Sequence, residues 1–256
     1  TEINCTFVRN TGAIGALKNT GGGTQINCSF YGNKGSYQYG AVGGVYNNNG
    51  GKQVNCIIYG NTTTGPVLGN EIYNYSTGAV QTNCIIGGLP VSKDANGNFG
   101  ANPQFFNAAG DDLHLSLSSP AINAGVNVTN PDIATDMEGF PRITGGVRDI
   151  GAYELHSDIV AFSQSGANVN RYQVVVGLVN RGRFTETNVR ITSATLGGIS
   201  TATALPQNAG TILVGETKSA ALSFPYAYPY GSYQLLIVSG TTSIGPFTNY
   251  IPVYVY

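Results

Sequence analysis

The phrase Ile-Asn-Cys, or a close variant, returns four times near the start of the chain. It reads Ile3-Asn4-Cys5, Ile26-Asn27-Cys28, Val54-Asn55-Cys56 and Thr82-Asn83-Cys84, and the cysteines are 23, 28 and 28 residues apart. A fixed period of this length constrains the fold before any other signal, because each repeat must stack on its neighbours to bury an apolar face. Within each phrase the residues alternate. Ile3, Cys5 and Phe7 share one face, as do Ile26, Cys28 and Phe30, Val54, Cys56 and Ile58, and Thr82, Cys84 and Ile86, with Asn4, Asn27, Asn55 and Asn83 opposite. Period-two alternation predicts a strand with one buried face.

A second element recurs in the same cycle. Ala13-Ile14-Gly15-Ala16-Leu17 aligns with Ala41-Val42-Gly43-Gly44-Val45, followed by Asn19 and Asn47, with Asn74 continuing that column. Five residues after each of the first three cysteines stands Asn10, Asn33 or Asn61. Asparagine tolerates the left-handed conformation of a sharp corner, so these three are expected to be corner residues whose amides stack. The expected fold class is all-β: a right-handed parallel β-helix over residues 1–155 with a C-terminal capping region, followed by an immunoglobulin-like β-sandwich over 156–256.

The sandwich expectation rests on a change of texture near Leu155. Longer alternating runs follow, at Arg171–Asn180, Asn188–Leu196, Ser219–Phe224, Ser232–Ser239 and Phe247–Tyr256, separated by Gly-rich turns. About seven short strands in one hundred residues suit two packed antiparallel sheets. Before that change, Leu113, Leu115 and Leu117 alternate with His114 and Ser116, and Asp149–Glu154 reads as another strand.

The four cysteines have two readings. Four in an extracellular chain can form two disulfides. Their common inward position favours a column of small buried thiols. Metal ligation has little support, since no CxxC exists and neither histidine falls inside the repeats. No cofactor is expected.

Charged residues make up only 10% of the chain and the net charge is −1. This gives no electrostatic basis for binding nucleic acid or an anionic membrane, and no segment is apolar for long enough to suggest a membrane span. The Asn- and Thr-rich, weakly charged surface suggests a secreted or cell-surface location. The chain opens inside a repeat without an initiator Met, which reads as a processed or truncated product with any export signal removed.

Five motifs occur in order at the end of the repeats: Asn102-Pro103-Gln104-Phe105, Asp112-Leu113-His114-Leu115, Ser119-Pro120-Ala121-Ile122-Asn123-Ala124-Gly125, Thr135-Asp136-Met137-Glu138-Gly139-Phe140-Pro141-Arg142 and Asp149-Ile150-Gly151-Ala152-Tyr153-Glu154. This text resembles the C-terminal part of bacterial right-handed β-helix surface proteins of the choice-of-anchor Q type, which are similar to polymorphic outer-membrane-protein passengers. The resemblance covers residues 1–154. It implies a bacterial surface protein of β-helical build and no particular chemistry.

Glycan hydrolysis needs paired carboxylates. Between Thr1 and Gly88 the acids are Glu2 and Glu71 and the bases Arg9, Lys18, Lys34 and Lys52, too sparse for a catalytic pair. Other acids gather later: Asp94, Asp111, Asp112, Asp132, Asp136, Glu138, Asp149 and Glu154. They read either as a calcium or catalytic site or as ties that hold the capping loop, with Asp136, Arg142 and Asp149 as the chief members. Asp94-Ala95-Asn96-Gly97-Asn98 is similar to a calcium loop, but its glycine is misplaced and no Glu closes it. His114 is expected to face outward and His156 to lie in the linker.

The candidate binding residues are tyrosines: Tyr37 and Tyr39 in the longer second repeat, Tyr46, Tyr73 and Tyr75 near the second strand column, and Tyr226, Tyr228 and Tyr230 in one loop of the second half. Flat amphipathic rings suit sugar stacking, protein contacts or ordinary strand packing. The expected function is a non-catalytic extracellular structural or adhesive protein, with a self-assembling, head-to-tail homopolymer as one form and a cell-surface glycan as the other partner considered. The alternative is a carbohydrate-binding or polysaccharide-processing fragment with its active site upstream.

Overall fold

A computed structural model describes residues 1–128, 133–144, 146–164, 173–225 and 228–255. Tyr226, Asp132, Arg171, Tyr172 and Tyr256 lie outside the described residues. The described residues form strands and one 3₁₀ turn, Ala108–Gly110, and no α-helix. They divide into two compact units, Thr1–Leu155 and His156–Tyr256.

The first unit is built from strands of two to four residues. Left-handed residues interrupt the Ile-Asn-Cys phrases: Asn4, Asn27, Asn55 and Asn83 have φ between 47° and 53°. The Ile-Asn-Cys phrase is therefore not one straight strand, as its alternation predicts, but two strands meeting at an asparagine corner. The corner changes which residues point inward. Gln25 and Gln53 are buried together with Cys28, Phe30, Cys56 and Ile58, while Val54 and Thr82 are only half-buried.

Strands from successive repeats pair in parallel. Glu2–Ile3, Thr24–Ile26, Lys52–Val54 and Val80–Thr82 form one sheet with Glu2, Gln25, Gln53 and Gln81 in register. Thr6–Val8, Ser29–Tyr31, Ile57–Tyr59 and Ile85–Ile86 form a second, with Phe7, Phe30, Ile58 and Ile86 in register. Leu17–Asn19, Val45–Asn47 and Ile72–Asn74 form another, aligning Asn19, Asn47 and Asn74. Smaller parallel sheets contain Thr11–Gly12, Lys34–Ser36 and Thr62–Thr64, and Ala41–Val42 with Val67–Gly69. Cys28, Phe30, Val45, Cys56, Ile58, Cys84 and Ile86 fill the space enclosed by these sheets. Phe7 stacks on Phe30 with centroids 4.6 Å apart.

The second sheet carries apolar residues on both faces. Ile57 and Ile85 point away from the cysteine core into a cluster with Phe99, Leu115, Ala121 and Ile150. The segment after Phe99 thus lies against the outside of the repeats. Among the described residues it contains the antiparallel strand pair Phe105–Asn107 with Asp112–Leu115 and an isolated antiparallel bridge between Thr135 and Pro141. Leu113 and Leu115 are buried as expected; Leu117 lies beyond the strand and is exposed. Residues 149–154 are not a strand. Their N–H groups donate singly to separated partners, including the Ala121 and Asn55 carbonyls, the Ser29 hydroxyl and the Asp136 carboxylate.

Among the described residues of the second unit every strand pair is antiparallel. Ile159–Ser163, Gln173–Asn180 and Thr217–Ser223 form one sheet. Ile199–Ser200, Glu186–Leu196, Tyr233–Thr241 and Pro246–Tyr254 form the other, with Gln207–Ile212 also pairing on Glu186–Leu196. Val174, Val176, Leu178 and Leu222 from one sheet share a core with Ile191, Leu196, Leu236, Val238 and Ile251 from the other.

Candidate functional site

The left-handed residues ahead of the Asn10, Asn33 and Asn61 column are Arg9, Gly32 and Gly60, so those asparagines are not the corners. They do stack. The Asn10 Nδ2 donates to Asn33 Oδ1 at 2.9 Å, and Asn33 Nδ2 donates to Asn61 Oδ1 at 2.8 Å. A second network joins a further asparagine column to a glutamine column. Asn19 donates to Asn47 at 2.7 Å and Asn47 to Asn74 at 2.9 Å. Gln81 donates to Gln53 at 2.8 Å and Gln53 to Gln25 at 2.6 Å. Cross-links such as Asn47 Nδ2 to Gln53 Oε1 at 2.9 Å join the two columns. The glutamine column escapes a reading centred on Cys; its signal is a Gln three residues before Cys28, Cys56 and Cys84.

Both acids of the repeats belong to these ladders. Gln25 Nε2 donates to Glu2 Oε2 at 2.5 Å. Glu71 accepts from Asn61 Nδ2 at 2.6 Å and from the Gly60 N–H at 2.8 Å. Burial raises the Glu71 carboxyl above its ordinary pKa, opposed by its bonds from Asn61 and Gly60. The four cysteines are free thiols, with Cys28, Cys56 and Cys84 buried and Cys5 half-buried. Burial and the neighbouring thiols hold the Cys56 thiol well above its ordinary pKa.

The later acids mostly serve as ties. Asp94 Oδ1 accepts from the N–H groups of Asn96 and Asn98, both at 2.8 Å, and these bonds hold its pKa down. Asn98 in turn accepts the Cys84 N–H at 3.0 Å, so this loop finishes the last repeat. Asp111 pairs with Arg9. Asp136, Arg142, Arg148, Asp149 and Glu154 are all buried. Asp136 accepts from the N–H groups of Glu138, Phe140 and Glu154, and Asp149 from those of Asn123 and Leu155. Arg142 donates to the Gly151 carbonyl, and Arg148 donates to the Ile133 and Val128 carbonyls. Burial raises the Asp149 carboxyl above its ordinary pKa, opposed by its bonds from the Asn123 and Leu155 N–H groups. Glu154 is pushed up to about 8, first by burial and then by the charge of Asp149.

His114 is not an open surface group. Its ring lies between Asp112 and Glu138, with Nε2 3.1 Å from Glu138 Oε1, and packs on Tyr153 at 3.9 Å between centroids. His156 Nε2 lies 3.1 Å from Asp158 Oδ1. Among the described residues no group of three or more His, Cys, Asp or Glu side chains is arranged to hold a metal ion, and no helix is long and apolar enough to cross a membrane.

The candidate tyrosines separate into distinct environments. Tyr37 and Tyr39 are 47% and 77% exposed and meet edge to face at 5.6 Å. Tyr37 lines a shallow cleft of about 520 Å³ with Ser36, Gln38, Thr64 and Gly65. Tyr46 and Tyr73 are half-buried; Tyr46 stacks on the exposed Tyr75 at 6.1 Å and lies under the Lys18 ammonium at 5.7 Å. Tyr230 is exposed. Tyr228 is a correction: it is buried in the second core, and its hydroxyl donates to the Leu196 carbonyl at 2.5 Å, so it anchors a loop and offers no surface ring. No protein-family model matches the chain, and no curated protein matches it.

Proposed function

We propose that the chain is a non-catalytic structural or adhesive protein of the bacterial cell exterior. In this reading Thr1–Leu155 is a right-handed parallel β-helix closed by its own C-terminal segment, and His156–Tyr256 is an immunoglobulin-like β-sandwich. The observation that carries it is the use made of the acids in the repeats. Glu2 and Glu71 both accept from ladder amides. A coil whose few carboxylates are bound into its own frame has no acid pair to place across a glycosidic bond. The choice-of-anchor Q resemblance supports the same reading, because Asp136, Arg142, Asp149 and Glu154 of the resembling motifs are the groups that knit the closing segment.

Head-to-tail assembly is one form of this function. Glu2–Ile3, Thr6–Val8, Thr11–Gly12 and Leu17–Asn19 each stand at the end of their sheet, and such edges pair with further strands. Electron microscopy of the purified chain, with a polysaccharide-degradation assay, tests the proposal. Rods or filaments without turnover are expected; reproducible cleavage of a polysaccharide would overturn it. The exposed Tyr37–Tyr39 pair beside its cleft favours a second reading, carbohydrate binding by the first unit. Loss of glycan-array signal in Tyr37→Ala/Tyr39→Ala would distinguish it.

A further inference from the structure

In a sheet with one wet face, inward and outward residues alternate between apolar and polar. Tyr233–Thr241 and Pro246–Tyr254 obey this at one end only. Their inward residues Leu236, Val238, Phe247, Ile251 and Val253 are buried. Near Thr241 the outward positions are Ser239 and Thr248, paired across the strands with their hydroxyls 3.0 Å apart. Toward Tyr233 the outward positions turn apolar: Tyr233 pairs with Tyr254, Leu235 with Pro252 and Ile237 with Tyr250. Tyr233 is 75% exposed, Tyr250 68% and Leu235 47%. The runs Leu235-Leu236-Ile237-Val238 and Tyr250-Ile251-Pro252-Val253 thus read like strands covered on both faces, yet one face is open. Contiguous apolar surface of this kind marks a contact site.

Three features select the occupant. Neither strand contains a charged residue, so the face matches an uncharged ligand. Pro246 and Pro252 lie in Pro246–Tyr254, the last strand of its sheet, and lack the N–H groups that strand addition needs, so recognition is by side chains on the face. The six outward residues offer on the order of 400–600 Å². A stable pair of protein subunits needs roughly 800 Å² from each. Tyrosine rings supply flat apolar area with a hydroxyl at the rim, which suits the C–H faces and hydroxyl edges of a sugar chain.

We propose that the outward face formed by Tyr233, Leu235, Ile237, Tyr250, Pro252 and Tyr254 binds a neutral polysaccharide laid across the two strands. These residues are different from the tyrosines of the first unit, and the proposal stands independently of the function inferred above.

The test uses the full 256-residue chain in native affinity gels containing xylan, laminarin or hydroxyethyl cellulose, with alginate as the charged comparison. Retardation in at least one neutral gel is expected. Tyr233→Ala/Tyr250→Ala should weaken that binding at least tenfold at an unchanged melting temperature, and Tyr37→Ala/Tyr39→Ala should not. Should the double variant misfold, amide shifts of the unmodified chain titrated with the matching hexasaccharide must centre on residues 233–237 and 250–254. The proposal is overturned by no retardation in any neutral gel, by stronger retardation in alginate, by shifts centred elsewhere, or by a doubled mass in light scattering that Tyr233→Ala/Tyr250→Ala abolishes, which would assign the face to a second copy.

Discussion

Glu71 takes a hydrogen bond from the Asn61 side-chain amide at 2.6 Å and so ends the ladder that runs from Asn10 through Asn33. Each amide in that ladder passes its N–H to the next repeat, and the final member needs a partner that only accepts. A carboxylate meets this need. Glu2 does the same for the glutamine column, which runs in the opposite sense. Between them the two carboxylates accept the terminal N–H groups of the two ladders.

Asn33 sits in the middle of its ladder. Its amide donates to Asn61 and to the Phe7 carbonyl, and its oxygen accepts from Asn10. Asn33→Ala is expected to cost about 2–4 kcal/mol, because several buried partners are orphaned at once. Urea denaturation checks this; an unchanged midpoint would contradict the ladder.

The cysteines should react as thiols. About four free thiols should titrate in denatured, unreduced protein, and none would refute the free column. Cys56→Ser should destabilise by about 1–3 kcal/mol, since a more polar hydroxyl replaces a thiol in an apolar core.

Glu154 makes stability depend on pH in an unusual direction for an acid. Its folded pKa of about 8 exceeds the ordinary 4.5, so the folded chain binds the extra proton between those values. Stability from this group is full below about pH 4.5 and is lost as pH rises through 8. Asp149 and Glu71 are shifted in the same direction by burial. The first unit should therefore melt lower at pH 8.5 than at pH 6, and Glu154→Gln should flatten that slope. Calorimetry across this range checks both; a melting temperature that rises with pH would contradict the assignment.

Gly43 sits at a close backbone approach between repeats. A Cβ there would lie 2.4 Å from the Asn70 carbonyl oxygen and 2.6 Å from that of Thr62. Gly43→Ala should cost about 3 kcal/mol or more, because backbone on both sides must move. Soluble, normally melting variant protein would count against this packing.

The repeat period made the parallel stacking legible, because Cys5, Cys28, Cys56 and Cys84 mark equivalent positions in sequence. The stacked amides of Asn10, Asn33 and Asn61 were legible for the same reason. Their conformation was not, since Arg9 takes the left-handed place that Gly32 and Gly60 occupy, and no propensity argument chooses arginine there. The inward role of Gln25 and Gln53 was hidden because a left-handed Asn27 or Asn55 breaks the alternation that would have shown it. Tyr228 looked like its exposed neighbour Tyr230; what distinguishes it is burial in the second core and a bond to the Leu196 carbonyl, 32 residues away. The open face around Tyr233 and Tyr250 was missed because it depends on which strands pair, and pairing is not a property of either strand alone.

Side-chain amide NMR tests the stacked repeats most directly. Asn33 and Asn61, and Gln25 and Gln53, are 28 residues apart in each pair and joined at 2.8 and 2.6 Å. Nuclear Overhauser contacts between the amide protons of each pair, with exchange slowed well below that of a free side chain, are the predicted result. Fast exchange and no contact at these four residues would contradict the structure on which the proposed function rests.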